Sequence, residues 1–214
     1  MGRKEPSISI VGCGPGSPEY LTPAAMKAVS RAEVLVGARR LLDLFLSSQA
    51  ERIEVGAGTG EILDRIEARR CHRRIAVLVT GDPGLFSLAK LVLERFGRDN
   101  CRVIPGISSV HAAFASVGVD WADARVISAH KENPCCDASV WESDKIAVLG
   151  GRPGFPRWIA EQLAGCNSGD RLIFVCENLT LEDERIREVN LADLATLEVA
   201  SRGVILVIKR SCLP

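Results

Sequence analysis

The sequence predicts an α/β protein in two parts, a mainly parallel N-terminal sheet followed by a mixed α+β C-terminal half. Three observations carry that prediction. Through the first half, short runs rich in Val and Ile alternate with stretches of helical period, the pattern of strands joined by crossover helices. After residue 112 or so the strands follow one another more closely and a single clear helix stands among them. Finally, 47% of the 214 residues are hydrophobic, enough to fill one large core or two small ones. The domains expected are residues 1–115 and 116–214.

The elements follow in order. "SISIVG" (7–12) is the first strand, and "TPAAMKAVSRA" a helix with Thr22 as N-cap and Pro23 at its first position; a hydroxyl there accepts an orphan amide, and the proline ring presets a helical φ. "EVLVG" (33–37), "RIEV" (52–55) and "RIAVLVTG" (74–81) are strands. A helix then starts near Leu85, with Leu85, Leu88, Leu91, Val92 and Phe96 largely on one face and Gly97 as its stop. "CRVIPG" (101–106) is the fifth strand, followed by a helix start at Ser108 and Ser109. In the second half, residues 125–130, 145–151, 171–177 and 202–210 read as strands and 155–165 as the helix. Residues 130–144 read as a linker or exposed loop, and the acidic stretch 177–194 as an exposed helix or hairpin.

Charge and cysteine usage exclude several classes. Lys plus Arg and Asp plus Glu are 27 each, so no sequence-independent grip on nucleic acid is signalled, and an anionic ligand has to be met by a local basic patch. Eight cysteines form no CxxC pair and the three histidines are isolated. Reduced, mostly buried thiols are expected, and no metal. No long apolar run precedes the first strand and none approaches a membrane helix, which points to the cytoplasm.

The chemistry sits in the loops. "VGCGPGSPEYLT" is not a dinucleotide fingerprint: Ser17 stands where the third glycine belongs, the helix cap comes only at Thr22, and the second strand ends in Gly37-Ala38-Arg39-Arg40 without an acid. The same strand-then-glycine arrangement recurs at Thr80-Gly81-Asp82-Pro83-Gly84 and at Pro105-Gly106. Taken singly, each is an ordinary turn or cap. Three such loops at the carboxyl ends of parallel strands converge on the edge where open α/β sheets bind ligands.

Together, "VGCGPGSPEYLT", "TGDPGLF" and "IPGISSVHAAFASVG" resemble the tetrapyrrole methylases, S-adenosyl-L-methionine-dependent enzymes of cobalamin and sirohaem synthesis with two α/β halves and a cofactor cleft between them. "VGARRLLDLF" (36–45) and "ENLTLEDERI" (177–186) are similar to the branch that methylates a late corrin intermediate at C5. The resemblance implies cofactor contacts from Gly14, Pro15, Thr80, Gly81, Asp82, Leu85, Ser108 and Ser109, with Leu149 added by "AVLGG". It implies S-adenosyl-L-homocysteine as product, a homodimer, and a separate enzyme for the C15 methylation and decarboxylation. "GGRPGFP" after Leu149 and "SAHKENPCC" after Ser128 depart from the family pattern.

Methyl transfer to an electron-rich ring carbon is an in-line displacement that needs alignment and exclusion of water rather than a side-chain nucleophile. Asp82 is therefore expected to position the cofactor. Arg39, Arg40, His130, Lys131 and Arg152 flank strand ends and are candidates for the carboxylates of a tetrapyrrole substrate, each with an ordinary reading as solvated charge. Within the superfamily, another ring position, a protein or an RNA are alternative substrates. Zero net charge and ten aromatic residues (six Phe, three Trp, one Tyr) disfavour RNA. A non-catalytic binding module or partner subunit is the alternative from another class, against which the intact Gly81-Asp82 pair argues.

Overall fold

Apolar runs and helix caps produce ten strands and eight α-helices over the residues that the computed structural model describes: 6–56, 58–130, 132–134, 136–165, 169–199 and 203–213. The chain divides between Ser108 and Ser109 into two compact units, so the helix after the third loop goes with the second unit.

In the first unit, β1 (Ile8–Gly12), β2 (Val34–Gly37), β3 (Glu51–Glu54), β4 (Ile75–Val79) and β5 (Cys101–Ile104) form one sheet. The strand order is β3-β2-β4-β1-β5 and every pairing is parallel. Four helices connect them: α1 (Pro23–Arg31), α2 (Arg39–Leu42), α3 (Thr59–Arg70) and α4 (Ala89–Phe96). One sheet face buries Ile8, Ile10, Val34, Val36, Ile75 and Val77 against Ile62 and Ile66 of α3 and Val92 and Phe96 of α4. The other buries Val11, Leu35, Ala76, Leu78 and Ile104 with Ala25 and Val29 of α1 and Leu41 and Leu42 of α2. Strands covered on both faces are why β2 and β4 read as unbroken apolar runs.

The caps work as the sequence indicates at α1, where Thr22 Oγ1 accepts the Ala25 N–H at 3.1 Å. At α4 they do not. The helix begins at Ala89 instead of Leu85, because Phe86 adopts a left-handed φ of 47°. Ser87 then caps the delayed start, donating its hydroxyl to Pro83 O at 2.6 Å and accepting the Ala89 N–H at 3.1 Å.

The second unit holds α5 (Ser109–Ser116), β6 (Arg125–Ser128), α6 (Ala138–Trp141), β7 (Lys145–Leu149), α7 (Phe155–Ala164), β8 (Arg171–Glu177), β9 (Arg185–Val189), α8 (Leu191–Thr196) and β10 (Val204–Lys209). Its sheet runs β6-β7-β10-β8-β9. β6 and β7 are parallel and the other pairs antiparallel, the mixed sheet that the sequence implies. The stretch 130–144, expected as a linker or exposed loop, carries α6, and Trp141 is only 1% exposed. Trp141 meets Trp158 edge-on with ring centroids 5.4 Å apart. The acidic stretch after β8 resolves as the β8–β9 hairpin followed by α8.

Of the six described cysteines, Cys13, Cys101 and Cys176 are buried, Cys136 and Cys212 half-buried and Cys71 exposed. Among the described residues no helix is long and apolar enough to cross a membrane.

Lys145, the first residue of β7, is nearly buried and reaches Asp120 Oδ1 at 2.8 Å. The hydrogen bond from Lys145 holds the Asp120 carboxyl below the usual carboxylate range. A depressed carboxylate adds stability above its unfolded pKa of about 3.9, and that contribution is lost as the pH falls through the lower folded value. Asp120→Asn should therefore lower the Tm at neutral pH, and the gap from wild type should close as the pH is taken below about 4. Thermal melts across the acidic range check this; a gap independent of pH would contradict it.

Candidate functional site

β1 sits between β4 and β5, so its glycine loop emerges between the other two. The three loop starts touch through backbone alone. A Cβ added to Gly12 would lie 2.6 Å from Gly106 N and 2.7 Å from Gly81 O, and one added to Gly106 would lie 2.4 Å from Gly81 O. Beyond this contact Gly14 and Gly81 form an isolated antiparallel bridge: Gly81 N–H donates to Gly14 O at 2.8 Å and Gly14 N–H to Gly81 O at 3.3 Å. Both take the left-handed φ that glycine adopts without strain, 74° and 65°.

Asp82 ties the second loop to the third. Its Oδ1 accepts the Gly84 N–H at 2.7 Å and its Oδ2 the Gly106 N–H at 3.0 Å. Hydrogen bonds to an ionised acceptor are the stronger kind, of order 1.5–3 kcal/mol each, so this carboxylate fixes the relative position of two loops. Asp82, expected from the sequence to position the cofactor, is bonded here to backbone amides of two loops.

The other expected residues of the first unit fall around this junction. Gly14 and Pro15 are buried, Thr80 and Leu85 half-buried, and Ser108 is 3% exposed. Leu85 N–H donates to Asp82 O at 3.2 Å. Arg40 reaches in from α2 and donates its Nη2 to Thr80 Oγ1. Arg39 is exposed, and its side chain makes no hydrogen bond or ion pair among the described residues. Sequence reasoning passed over Tyr20, which packs against Gly14: a Cβ there would lie 3.0 Å from Tyr20 O and 3.3 Å from its Cβ. The signal for Tyr20 was its place inside the matched loop. Cys13, between the two loop glycines, is buried, and burial pushes its thiol up to about 12. It stays protonated near neutral pH and is unsuited to nucleophilic chemistry.

In the second unit, Ser109 opens α5 and Leu149 closes β7, 8% exposed, its carbonyl accepting the Ala129 N–H at 2.8 Å. β6 and β7 are neighbours, and this brings His130 onto Gly151: a Cβ on that glycine would lie 2.5 Å from His130 Nδ1. The Arg152 guanidinium donates to Asn133 Oδ1. Lys131 lies outside the described residues. At the end of β8, Glu177 is 8% exposed and pairs with Arg187 at 2.7 Å. The turn beyond it holds left-handed Asn178 and Thr180, stapled by Asn178 Nδ2 to Asp183 Oδ2 at 2.7 Å and Thr180 N–H to Glu184 Oε2 at 2.5 Å. The acids of this stretch hold a turn.

Residues 7–195 match the family described as Tetrapyrrole (Corrin/Porphyrin) Methylases. Cobalt-precorrin-7 C(5)-methyltransferase of Salmonella typhimurium is 36% identical over 179 residues, 84% of this chain and 88% of the relative. The probable cobalt-precorrin-7 C(5)-methyltransferase of Methanocaldococcus jannaschii is 34% identical, covering 88% of this chain and 91% of the relative. Among solved structures, the cobalamin biosynthesis precorrin-6Y methylase of Archaeoglobus fulgidus superposes with a TM-score of 0.73 at 32% identity, over 95% of this chain and 97% of that one. The uroporphyrin-III C-methyl transferase of Thermus thermophilus, solved with S-adenosyl homocysteine, shares the fold with a TM-score of 0.78 at 24% identity, over 94% and 91%.

The junction makes a direct prediction. Gly12→Ala pushes a methyl group into backbone that cannot yield and should destabilise the chain by about 1–3 kcal/mol. Gly60→Ala, inside α3 with nothing within 4 Å of the added Cβ, should be neutral or stabilising by up to about 1 kcal/mol. Denaturant titration of both variants checks the contrast; equal effects would contradict it.

Proposed function

The chain belongs to the tetrapyrrole methylase family, and from that membership we propose that it methylates C5 of cobalt-precorrin-7, with S-adenosyl-L-methionine as methyl donor, in cobalamin biosynthesis. The observation that carries this reading is the match to two relatives of that name over more than four fifths of this chain and of each relative. When bound, the donor supplies an electrophilic methyl group on a sulfonium sulfur.

The first unit's loop set suits such a donor chemically. The donor carries net positive charge, and Asp82 supplies a negative one at the loop junction. The glycines carry no side chain, so a ligand can approach the loop backbone closely. In this reading Gly14, Pro15, Thr80, Gly81, Leu85 and Ser108 hold the donor, while Asp82 and Arg40 act as positioning residues, Asp82 by locking two loops together and Arg40 by fixing the Thr80 hydroxyl. Ser109 and Leu149 are assigned to the donor on the family motifs alone. The chain's part in the reaction is alignment: a rigid junction fixes the methyl group's approach to the ring carbon, and the effective concentration so gained replaces a covalent step.

For the substrate's carboxylates, Arg39 and His130 are the candidates whose side chains make no hydrogen bond or ion pair among the described residues. Arg152 gives one nitrogen to Asn133, and its buried Nε has no partner among the described residues. The family resemblance further supports a cytoplasmic homodimer and a separate enzyme for C15, and a light-scattering mass in solution tests the dimer.

The function is tested by incubating the protein anaerobically with S-adenosyl-L-methionine and cobalt-precorrin-7. The expected product is heavier by one methyl group, placed at C5 by NMR. Methylation at another position, or none, contradicts the assignment. In the same preparation Asp82→Ala should bind S-adenosyl-L-homocysteine at least tenfold more weakly, as expected for a loss of about 1.4 kcal/mol or more in ligand binding. NADH should not bind.

A further inference from the structure

The first sheet breaks its own pattern at its amino-terminal end. On the face beneath α1, the row nearest the loops reads Leu78, Val11 and Ile104 across β4, β1 and β5, all buried and apolar. One pleat earlier the same face reads Ala76, Ser9 and Arg102. Ser9 is half-buried and Arg102 exposed on the edge strand β5, so this end of the face is open to solvent and polar where the next row is closed and apolar.

The helix above matches the anomaly. Ala24, Lys27, Ala28 and Arg31 lie at i, i+3, i+4 and i+7, one stripe of α1. Two alanines leave space where large apolar residues would fill it, and two cations rim that space. The result is a cavity of about 330 Å³ lined by this stripe and by Ser7, Ser9, Arg74 and Arg102, with no Asp or Glu in its lining among the described residues. That volume lies within the range of small-ligand sites, roughly 300–1,000 Å³.

The charges there are unbalanced in a chain that is neutral overall. Arg69 and Arg73 share Glu51, and Arg70 has Glu67. Around the cavity, Arg74 alone has an acid, Glu33 at 3.6 Å. The side chains of Lys27, Arg31 and Arg102 make no hydrogen bond or ion pair among the described residues. Like charges around one cavity repel unless an anion joins them, and guanidinium groups with two hydroxyls are the donor set for a tetrahedral oxyanion.

We propose that this cavity binds a phosphate or pyrophosphate group, either free or carried on a nucleotide. Ser9 stands three residues before Gly12 along β1, roughly 10 Å, so the site is separate from the loop junction and does not rest on the methyl-transfer reading.

Calorimetric titration of sodium pyrophosphate into the full-length protein, with ADP as a second arm, tests it. One saturable site is expected, weakened at least tenfold by Arg102→Ala and by Arg31→Ala and unchanged by Arg98→Ala, whose parent side chain is 94% exposed and outside the lining. S-adenosyl-L-homocysteine binding and thermal melts of the same variants report whether the fold survives. Tighter binding of ADP than of pyrophosphate assigns the group to a nucleotide; equal or weaker binding assigns it to a free oxyanion. Absence of saturable binding by either ligand, or an equal loss with Arg98→Ala, overturns the proposal.

Discussion

The first unit is organised around a contact that no side chain makes: the backbone meeting of Gly12, Gly81 and Gly106. Three neighbouring parallel strands deliver their carboxyl ends to one point, and a methyl group at Gly12 or Gly106 would force them apart. Much of the unit serves that meeting. The order β4-β1-β5 puts the strands side by side, and apolar faces on both sides of β1 hold its register. Asp82 then closes the junction with one carboxylate shared between two loops. A junction of backbone closed on itself, with Gly14 and Gly81 bonded to each other and Gly106 to Asp82, is rigid and has little entropy left to lose on binding.

Much of this was legible in the sequence, for identifiable reasons. The strands buried on both faces announce themselves as apolar runs, and Thr22 with Pro23 specifies the start of α1 through local chemistry. α3 was passed over because its buried contacts come from Ile62 and Ile66 in an otherwise charged helix. The start of α4 was misplaced because a left-handed Phe86 is not written in the residue type. The candidate site shows the same division. Residue types marked Asp82, Gly81 and the serines, but Asp82 reaches Gly106 across 24 positions and Arg40 reaches Thr80 across 40. Such partners are fixed by strand order, which local pattern does not encode. Reading 177–194 from its acidity alone was ambiguous for a related reason: Asp183 and Glu184 are consumed by backbone and side-chain donors of their own turn.

A neutral chain can still concentrate charge. Most arginines of α3 and its approach to β4 are matched by nearby carboxylates, whereas Lys27, Arg31 and Arg102 gather at one cavity without them. The two ends of the first sheet thus differ in kind. The carboxyl end is glycine and backbone around a single carboxylate; the amino end is hydroxyl and guanidinium around a hollow. In the second unit polar residues near the strand ends pair with one another, as Glu177 does with Arg187 and Arg152 with Asn133.

The central claim is that the glycine junction of the first unit seats the methyl donor. Backbone hydrogen exchange with and without S-adenosyl-L-homocysteine tests it most directly, because the seat is made of backbone amides. The account predicts slowed exchange concentrated in residues 13–16, 80–86 and 104–108, with little change in α3. Protection confined to other segments, or none at saturating ligand, would contradict it.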